Sequence, residues 1–534
     1  MAPSISTQQL SQYLETTHGY QIIGIMDLDW LNGQSRNTLY KAFKQWHRLV
    51  FESNEKIILY SRTTITNEML QHIQTCGSSI DIPNYFILVC SPTIDQYELD
   101  VVRQQYSIDN NSITSLQIQF LDQTISETTN AALILPRTFC FSPWAHLEIS
   151  SRGEFKPCCV FKESIKDSNG RSYNIKLDTV EQVYNSDYLT NLRNQFLNGD
   201  SPAGCSTCWH KEQNHGTSNR LWLSDHLGVN AHFLNIEKAS IDNLISLDIK
   251  LGNLCNFKCR ICTPGSSSRI AEEQVKHFNS NIHLKDLNAR GQWVDNEYIW
   301  KMFEVLGKQL INIDFYGGEP FLIKQQLIFL DYLIENDYAK NIRLHYNSNG
   351  SVYPMQLFEK WKQFRAVDVA FSIDNIGSRF ELERGGTWDQ VENNLDKFIK
   401  YKLPNMELSI FNTINVQNVY YIDEFLHWFE EKKFNVLTFN LLESPNFLSI
   451  TTMSPELTET VLKQLYQIPH DKLKKYNILP IITLLEQNMH TENLIDQLAD
   501  YMLKLDLVRN QKFNHSHHEI TDIIYKGKNY EKAL

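Results

Sequence analysis

The sequence predicts an α/β protein whose largest part, residues 244–450, is an open barrel of strand–helix units. Three observations predict it. Six apolar runs rich in β-branched residues recur: Ile245–Leu251, Ile311–Tyr316, Ile342–Tyr346, Val367–Ile373, Leu408–Ile414 and Val436–Leu442. Segments of helical periodicity separate them, at about 296–308, 323–335, 354–364, 388–401 and 420–432. Polar motifs fall at the ends of the first five runs. Alternation of this length implies parallel strands joined by right-handed crossovers. A closed TIM barrel needs eight strands, so six give a partial (β/α)6 TIM-like barrel. Its active face lies at the C-terminal strand ends.

The flanking regions read as follows. Residues 1–132 form a small α/β domain, with strand-like runs at Tyr20–Met26, Ile57–Tyr60 and Tyr85–Val89. Helical patterns at Arg36–Glu52 and from Thr66 lie between them. This domain has no glycine-rich phosphate loop, and no chemistry attaches to it. Residues 133–243 hold short strands, turns, five cysteines and a partly helical connector from about 221. Residues 451–534 are mainly helical, with periodic Leu and Ile.

Composition sets bounds on the function. The chain has 534 residues, enough for two to four domains, with 42% hydrophobic and 12% aromatic residues, as in a folded globular protein. A net charge of −12 argues against a broad nucleic-acid footprint. The N-terminus lacks the regions of a signal peptide, and no apolar stretch is long enough for a bilayer. A cytoplasmic protein, with its ten cysteines reduced, is expected. Cys76 and Cys90 stand apart and read as small buried hydrophobes.

The remaining cysteines form two groups. Cys255, Cys259 and Cys262 have the spacing C-x3-C-x2-C on the loop after the first barrel strand. Three thiolates on one short loop can hold three irons of a [4Fe–4S] cluster and leave the fourth open to a small molecule. Three such ligands also suit a zinc site with a distant fourth. Gly317-Gly318-Glu319-Pro320 follows the second strand, Asn347-Ser348-Asn349-Gly350 the third, and Ser372 and Asp374 the fourth. Asn412, Thr413 and Asn415 lie near the end of the fifth. A glycine pair alone is often a turn, and Ser or Asp alone is often a helix cap. Their common placement at one end of consecutive strands makes them converge.

In this order the motifs resemble those of the radical S-adenosylmethionine (SAM) enzymes, over about 245–445. The resemblance implies that Cys255, Cys259 and Cys262 hold a [4Fe–4S] cluster whose fourth iron binds SAM. One electron then splits SAM into methionine and a 5′-deoxyadenosyl radical that takes hydrogen from a substrate. It implies SAM contacts for Gly317, Gly318, Glu319 and Pro320, for Ser372 and Asp374, and for Arg384 near the carboxylate. Asn412 and Asn415 are further contacts by the same resemblance. Ile261 would pack on the adenine, which it can shield but not stack on.

Cys140, Gly153, Cys158, Cys205 and Cys208 resemble the twitch module, a shortened SPASM domain, over about 138–212. That implies a second, auxiliary [4Fe–4S] cluster on Cys140, Cys158, Cys205 and Cys208, suited to electron transfer. Four cysteines also suit tetrahedral zinc. Cys159 adjoins Cys158 and competes for the place; the spacing from Gly153 favours Cys158. The familiar modules follow the barrel, whereas this one precedes it.

Relatives of this kind act on peptides and proteins, or on small metabolites. A peptide or protein substrate is the first expectation and a metabolite the second. A non-catalytic iron–sulfur or zinc protein is the third. A flavodoxin or ferredoxin would supply electrons, and neither nucleic acid nor membrane is expected as partner. His515, His517 and His518 read as a polar surface turn, Glu430 to Lys433 as a solvated helix end, and Tyr316 as either core or site.

Overall fold

The computed structural model describes residues 22–27, 56–60, 86–87, 136, 138–213, 218–228, 236, 239–278, 293–488 and 493–528. The chain divides into two compact units, Met1–Phe139 and Cys140–Leu534. In the first, β1 (Ile22–Asp27), β2 (Lys56–Tyr60) and β3 (Phe86–Ile87) make a parallel sheet in the order β1-β2-β3. These are the three apolar runs expected there. The helices expected at Arg36–Glu52 and from Thr66, and both Cys76 and Cys90, lie outside the described residues.

The second unit is built on one sheet of eight strands, in the order β11-β10-β9-β8-β7-β6-β4-β5. The six expected barrel strands are β6 (Ser246–Lys250), β7 (Asn312–Tyr316), β8 (Arg343–Ser348), β9 (Ala366–Ser372), β10 (Met406–Ile414) and β11 (Val436–Leu441), all parallel. The helices between them are Glu297–Glu304, Gln326–Glu335, Met355–Trp361, Trp388–Lys400 and Ile422–Lys432. Two further helices sit at the mouth: Ser268–His277 after the cysteine loop, with the Ser267 side chain as cap, and Gly377–Arg384 after β9.

The sheet exceeds six strands because the cysteine-rich segment adds to it. Strand β4 (His146–Ile149) lies parallel to β6, in register from His146↔Ser246 to Ile149↔Ile249. Strand β5 (Phe155–Lys156) turns back antiparallel on β4. All four residues of β4 are buried, so its pairing is fixed by packing on both faces. The Cys140–Cys208 segment and the barrel therefore share a single sheet.

Alternation along the strands separates two faces. Leu247, Ile249, Ile313, Phe315, Leu344, Tyr346, Val367, Val369 and Phe371 are fully buried on the helix side. Tyr346 and Phe321 pack there on Trp361, and Phe321 on Phe398, with centroids 5.3–6.1 Å apart. Each such side chain contributes about 1.5–3 kcal/mol of burial. The opposite, inner face carries Asp248, Lys250, Asp314, Tyr316, Arg343 and His345. Tyr316 belongs to this polar face, donating to Asp248 Oδ2 at 3.1 Å.

After β11 the chain is helical: Pro455–Leu465, His470–Lys475, Leu479–Asn488, Ile495–Arg509 and His518–Ile524. These helices share an apolar cluster with Ile414, Val416, Ile422 and Leu426 of the barrel. The surface turn expected at the three histidines is corrected for His517. It is fully buried and stacked on Phe513 at 4.3 Å, with Nε2 2.9 Å from Glu383 Oε1. Among the described residues, no helix is long and apolar enough to cross a membrane.

Candidate active site

The loop after β6 carries Cys255, Cys259 and Cys262, the first two buried and the third partly so. Its own backbone folds it tightly. Ser268 N donates to Asn253 O at 2.6 Å and Cys262 N to Cys259 O at 3.0 Å. Ser267 Oγ donates to Phe257 O at 3.0 Å, which ties the loop to the helix it starts.

The motifs of the neighbouring strands grip this loop. Glu319 N donates to Leu254 O at 2.9 Å. Gly318, at φ +64, lies so close that a Cβ would meet Leu254 O at 2.2 Å. The glycine pair thus admits the cysteine loop itself, a cause independent of any ligand. A Cβ at Gly386 would strike the Phe257 ring at 2.2 Å, so Gly385-Gly386 closes on the loop from the β9 side. Pro320 opens a short 3-10 turn capped by Glu319, whose carboxylate accepts from Phe321 N at 3.1 Å.

Glu319 also joins β7 to β8. It accepts from Ser348 Oγ at 2.9 Å and Asn349 N at 2.7 Å. Burial pushes its carboxyl up to about 7, against the pull of those donors. Asn349 Nδ2 in turn reaches Asn256 Oδ1 at 3.0 Å and Cys255 Sγ at 3.8 Å. The Asn-Ser-Asn-Gly motif is therefore a strut between the third strand and the cysteines.

Arg384 is brought to the cysteines by the helix Gly377–Arg384. It is buried and ion-paired with Asp374. Its charge bears on all three thiols of the loop. Asp374 accepts from Thr413 N at 2.8 Å through its other oxygen. The Asp374 carbonyl takes Asn412 Nδ2 at 2.9 Å and Asn418 Nδ2 at 3.1 Å. Asp374 and Asn412, expected as SAM contacts, thus have protein partners as well, and Asp374 holds Arg384. Ser372 ends β9 half-buried. Ile261 is partly buried and packs against the C-terminal apolar cluster.

Burial pushes Cys255 up to about 12, with the Cys259 charge and Glu319 adding to it. Burial likewise raises Cys259 and Cys262, and Cys255 and Cys259 push Cys262 further. Thiols so placed keep their protons unless a metal replaces them. Arg384 offers the compensating cation.

The second group separates cleanly. Cys140, Cys158, Cys205 and Cys208 act on one another electrostatically. Burial is the first cause that raises each of them, Cys140 to about 12. Cys159 turns away. Apart from burial and its neighbour Cys158, its thiol feels Asp248, Glu148 and Lys250 of the inner sheet face. Of the adjacent pair, Cys158 is the one whose thiol interacts electrostatically with Cys140, Cys205 and Cys208. Among the described residues, no three His, Cys, Asp or Glu side chains are gathered for a single metal ion.

Several site residues had no local signal in the sequence. Asn256 holds Asn349, which reaches Cys255, and Asn418 braces Asp374. Arg260 and Arg509 anchor the loop to the C-terminal helix Ile495–Arg509.

A mostly parallel sheet with a three-cysteine loop past one strand, and a four-cysteine group in the segment that extends the same sheet, has the ligand set of an iron–sulfur protein. Residues 249–430 match the radical SAM superfamily, and residues 140–209 match SPASM, an iron–sulfur cluster-binding domain. The chain thus carries a radical SAM domain and an auxiliary-cluster domain, which imply a [4Fe–4S] cluster with SAM and a second, auxiliary cluster.

GTP 3′,8-cyclase of Actinobacillus pleuropneumoniae serotype 5b (strain L20) is 23% identical over 232 residues, 42% of this chain and 60% of the relative. The chain thus spans about 60% of that relative's length. Among solved structures, native anSMEcpe with bound AdoMet and Cp18Cys peptide is 19% identical. It covers 48% of this chain and 66% of its own, at a TM-score of 0.29. Streptococcus suis SuiB bound to precursor peptide SuiA is 13% identical, covering 49% and 53%, at 0.27.

Proposed function

We propose that this protein generates a 5′-deoxyadenosyl radical at the Cys255–Cys262 loop and takes hydrogen from a peptide or protein. Cys255, Cys259 and Cys262 hold the catalytic cluster, and Cys140, Cys158, Cys205 and Cys208 hold the auxiliary one. When bound, the first cluster and SAM supply one-electron reductive cleavage of the sulfonium.

The observation that carries this reading is Arg384. It is a buried cation fixed by Asp374 whose charge acts on three thiols of one loop. It offsets the negative charge of a thiolate-ligated cluster and suits a ligand carboxylate beside it. Gly317 to Pro320 and Ser372 line the adjoining strand ends and complete the SAM site. The helices after β11 and the Ser268–His277 helix flank the loop and shield it from water, as radical chemistry requires.

A peptide substrate is the first reading because the resemblance to enzymes with auxiliary clusters extends over both cysteine groups. A cytoplasmic flavodoxin or ferredoxin is the electron donor. A metabolite is the second reading, favoured by the likeness to GTP 3′,8-cyclase over 42% of the chain.

The test uses anaerobic protein with both clusters rebuilt, SAM and dithionite. Short peptides encoded beside its gene are one set of candidates and GTP the other. A mass change in a peptide, matched by 5′-deoxyadenosine, supports the first reading. Consumption of GTP with no change in any peptide overturns it in favour of the second.

A further inference from the structure

The first of the two residues between the second and third cysteines of the loop is Arg260, and its side chain reaches into the C-terminal helices. Arg260 is fully buried, and so is its partner Asp506. Arg260 Nη2 donates to Asp506 Oδ1 at 2.5 Å and to Gln511 Oε1 at 3.0 Å. Its Nε donates to Leu382 O at 3.2 Å. The backbone is held too: Arg260 N donates to Glu383 O at 2.7 Å, and Arg260 O accepts from Tyr501 OH at 2.6 Å. Asp506 is itself fixed by Phe513 N, at 2.7 Å from Oδ2.

A second ion pair runs beside the first. Arg509 donates to both oxygens of Glu273, at 3.0 and 2.7 Å, and to Lys258 O at 2.7 Å. So the residues just before and just after Cys259 are both gripped by the helix Ile495–Arg509. Nothing in the cysteine spacing calls for this. A buried ion pair gains little stability over apolar packing, so its retention beside a metal-binding loop calls for another role.

The geometry points to Arg260 and Asp506 as a matched charge pair that positions the loop and sets the reduction potential of its cluster. This rests on the reading that Cys255, Cys259 and Cys262 hold that cluster. Reduction places one more negative charge at the loop. A buried Arg260 cation favours that charge and a buried Asp506 anion opposes it, because neither is screened by water. With both present the two effects offset. Neither residue is expected to touch SAM or substrate; both act through the loop.

The consequence is a sign rule. Asp506→Asn leaves the arginine uncompensated, and the potential of the three-cysteine cluster rises. Arg260→Gln leaves the aspartate uncompensated, and the potential falls. The double variant Arg260→Gln/Asp506→Asn returns toward the parent value. The auxiliary cluster, held by a different part of the chain, stays unmoved and serves as the internal standard.

The experiment is a redox titration of the protein with both clusters rebuilt, followed by electron paramagnetic resonance without substrate. Parent and variants are loaded identically and their iron counted. Opposite shifts in the two single variants, cancelling in the double, are expected. Shifts of the same sign, equal shifts in both clusters, or no shift at all would overturn the assignment. Should a neutral variant lose iron from the loop, Asp506→Glu and Arg260→Lys keep the charges. Both are then expected to hold iron at the parent potential, and a potential displaced in either overturns the charge-pair account. A parent protein with no three-cysteine cluster signal would instead sink the underlying functional reading, so the two failures are distinguishable.

Discussion

Replacing Gly318 by alanine puts the packing of the glycine pair to a quantitative test. At φ +64 an L side chain costs about 1–2 kcal/mol. The new Cβ would stand 2.2 Å from Leu254 O and 2.8 Å from Leu254 C. Both are backbone atoms of the cysteine loop, so the loop must withdraw by roughly 1 Å to reach ordinary contact. That movement breaks the bond from Glu319 N to Leu254 O, worth about 1 kcal/mol. The sum is about 2–3 kcal/mol, or roughly a 30- to 150-fold rise in the opening constant of the loop. Hydrogen exchange of amides in residues 252–262, read by mass spectrometry under anaerobic conditions, measures that constant. Iron content of the rebuilt protein should fall in step. Gly377 is the control: it has φ +57 but nothing within 4 Å of a Cβ. Gly377→Ala should cost about 1 kcal/mol and leave the loop's exchange alone. A Gly318→Ala protein that exchanges like the parent and binds all its iron would refute the reasoning.

Three further outcomes follow from the geometry. Cys158→Ser should lose the auxiliary cluster, a drop of about four irons, whereas Cys159→Ser should keep it; iron analysis decides, and the reverse pattern would reassign the ligand. Arg384→Met leaves Asp374 buried and uncompensated and should cost about 3–5 kcal/mol, with SAM binding lost; a melting curve and equilibrium dialysis check it, and Arg384→Lys should recover part of the stability. Glu383 is pushed up to about 8 by burial, with the Asp374 charge adding to it. A raised carboxyl contributes stability that is complete below its unfolded value and is lost as pH climbs through about 8. Burial and Arg379 keep His517 neutral, its pKa well below the usual range, so it adds nothing above about pH 6.5. Between about pH 6.5 and 8 the parent should lose roughly 1–2 kcal/mol that Glu383→Gln does not, read from urea unfolding at each pH.

What could be read from the residues was whatever repeats locally. The strands β6 to β11 announce themselves as apolar runs rich in β-branched residues, and the cysteine loop, Gly317-Gly318-Glu319-Pro320 and Asp374 by their position after them. Strand β4 was hidden because His-Leu-Glu-Ile is only four residues and finds its partner a hundred positions later. Arg260 and Asp506 are 246 residues apart, and nothing near either one foretells the other. His517 misled because three histidines within four residues look polar; the Phe513 ring against it is what takes it inside. The protein partners of Asp374 and Asn412 were not legible in the sequence. Their hydrogen bonds to Arg384, Thr413 and Asn418 depend on how the β9 and β10 loops cross. Cys158 and Cys159 are adjacent in sequence and face different surroundings, a distinction that only the path of the turn after β5 makes.

The most direct test of the account is 5′-deoxyadenosine formation from SAM by the anaerobically rebuilt protein with dithionite. The account predicts product from the parent and none from a variant with Cys255, Cys259 and Cys262 all changed to Ala, in which the auxiliary iron is retained. Product from that variant, or no product from a parent that holds both clusters and binds SAM, would contradict it.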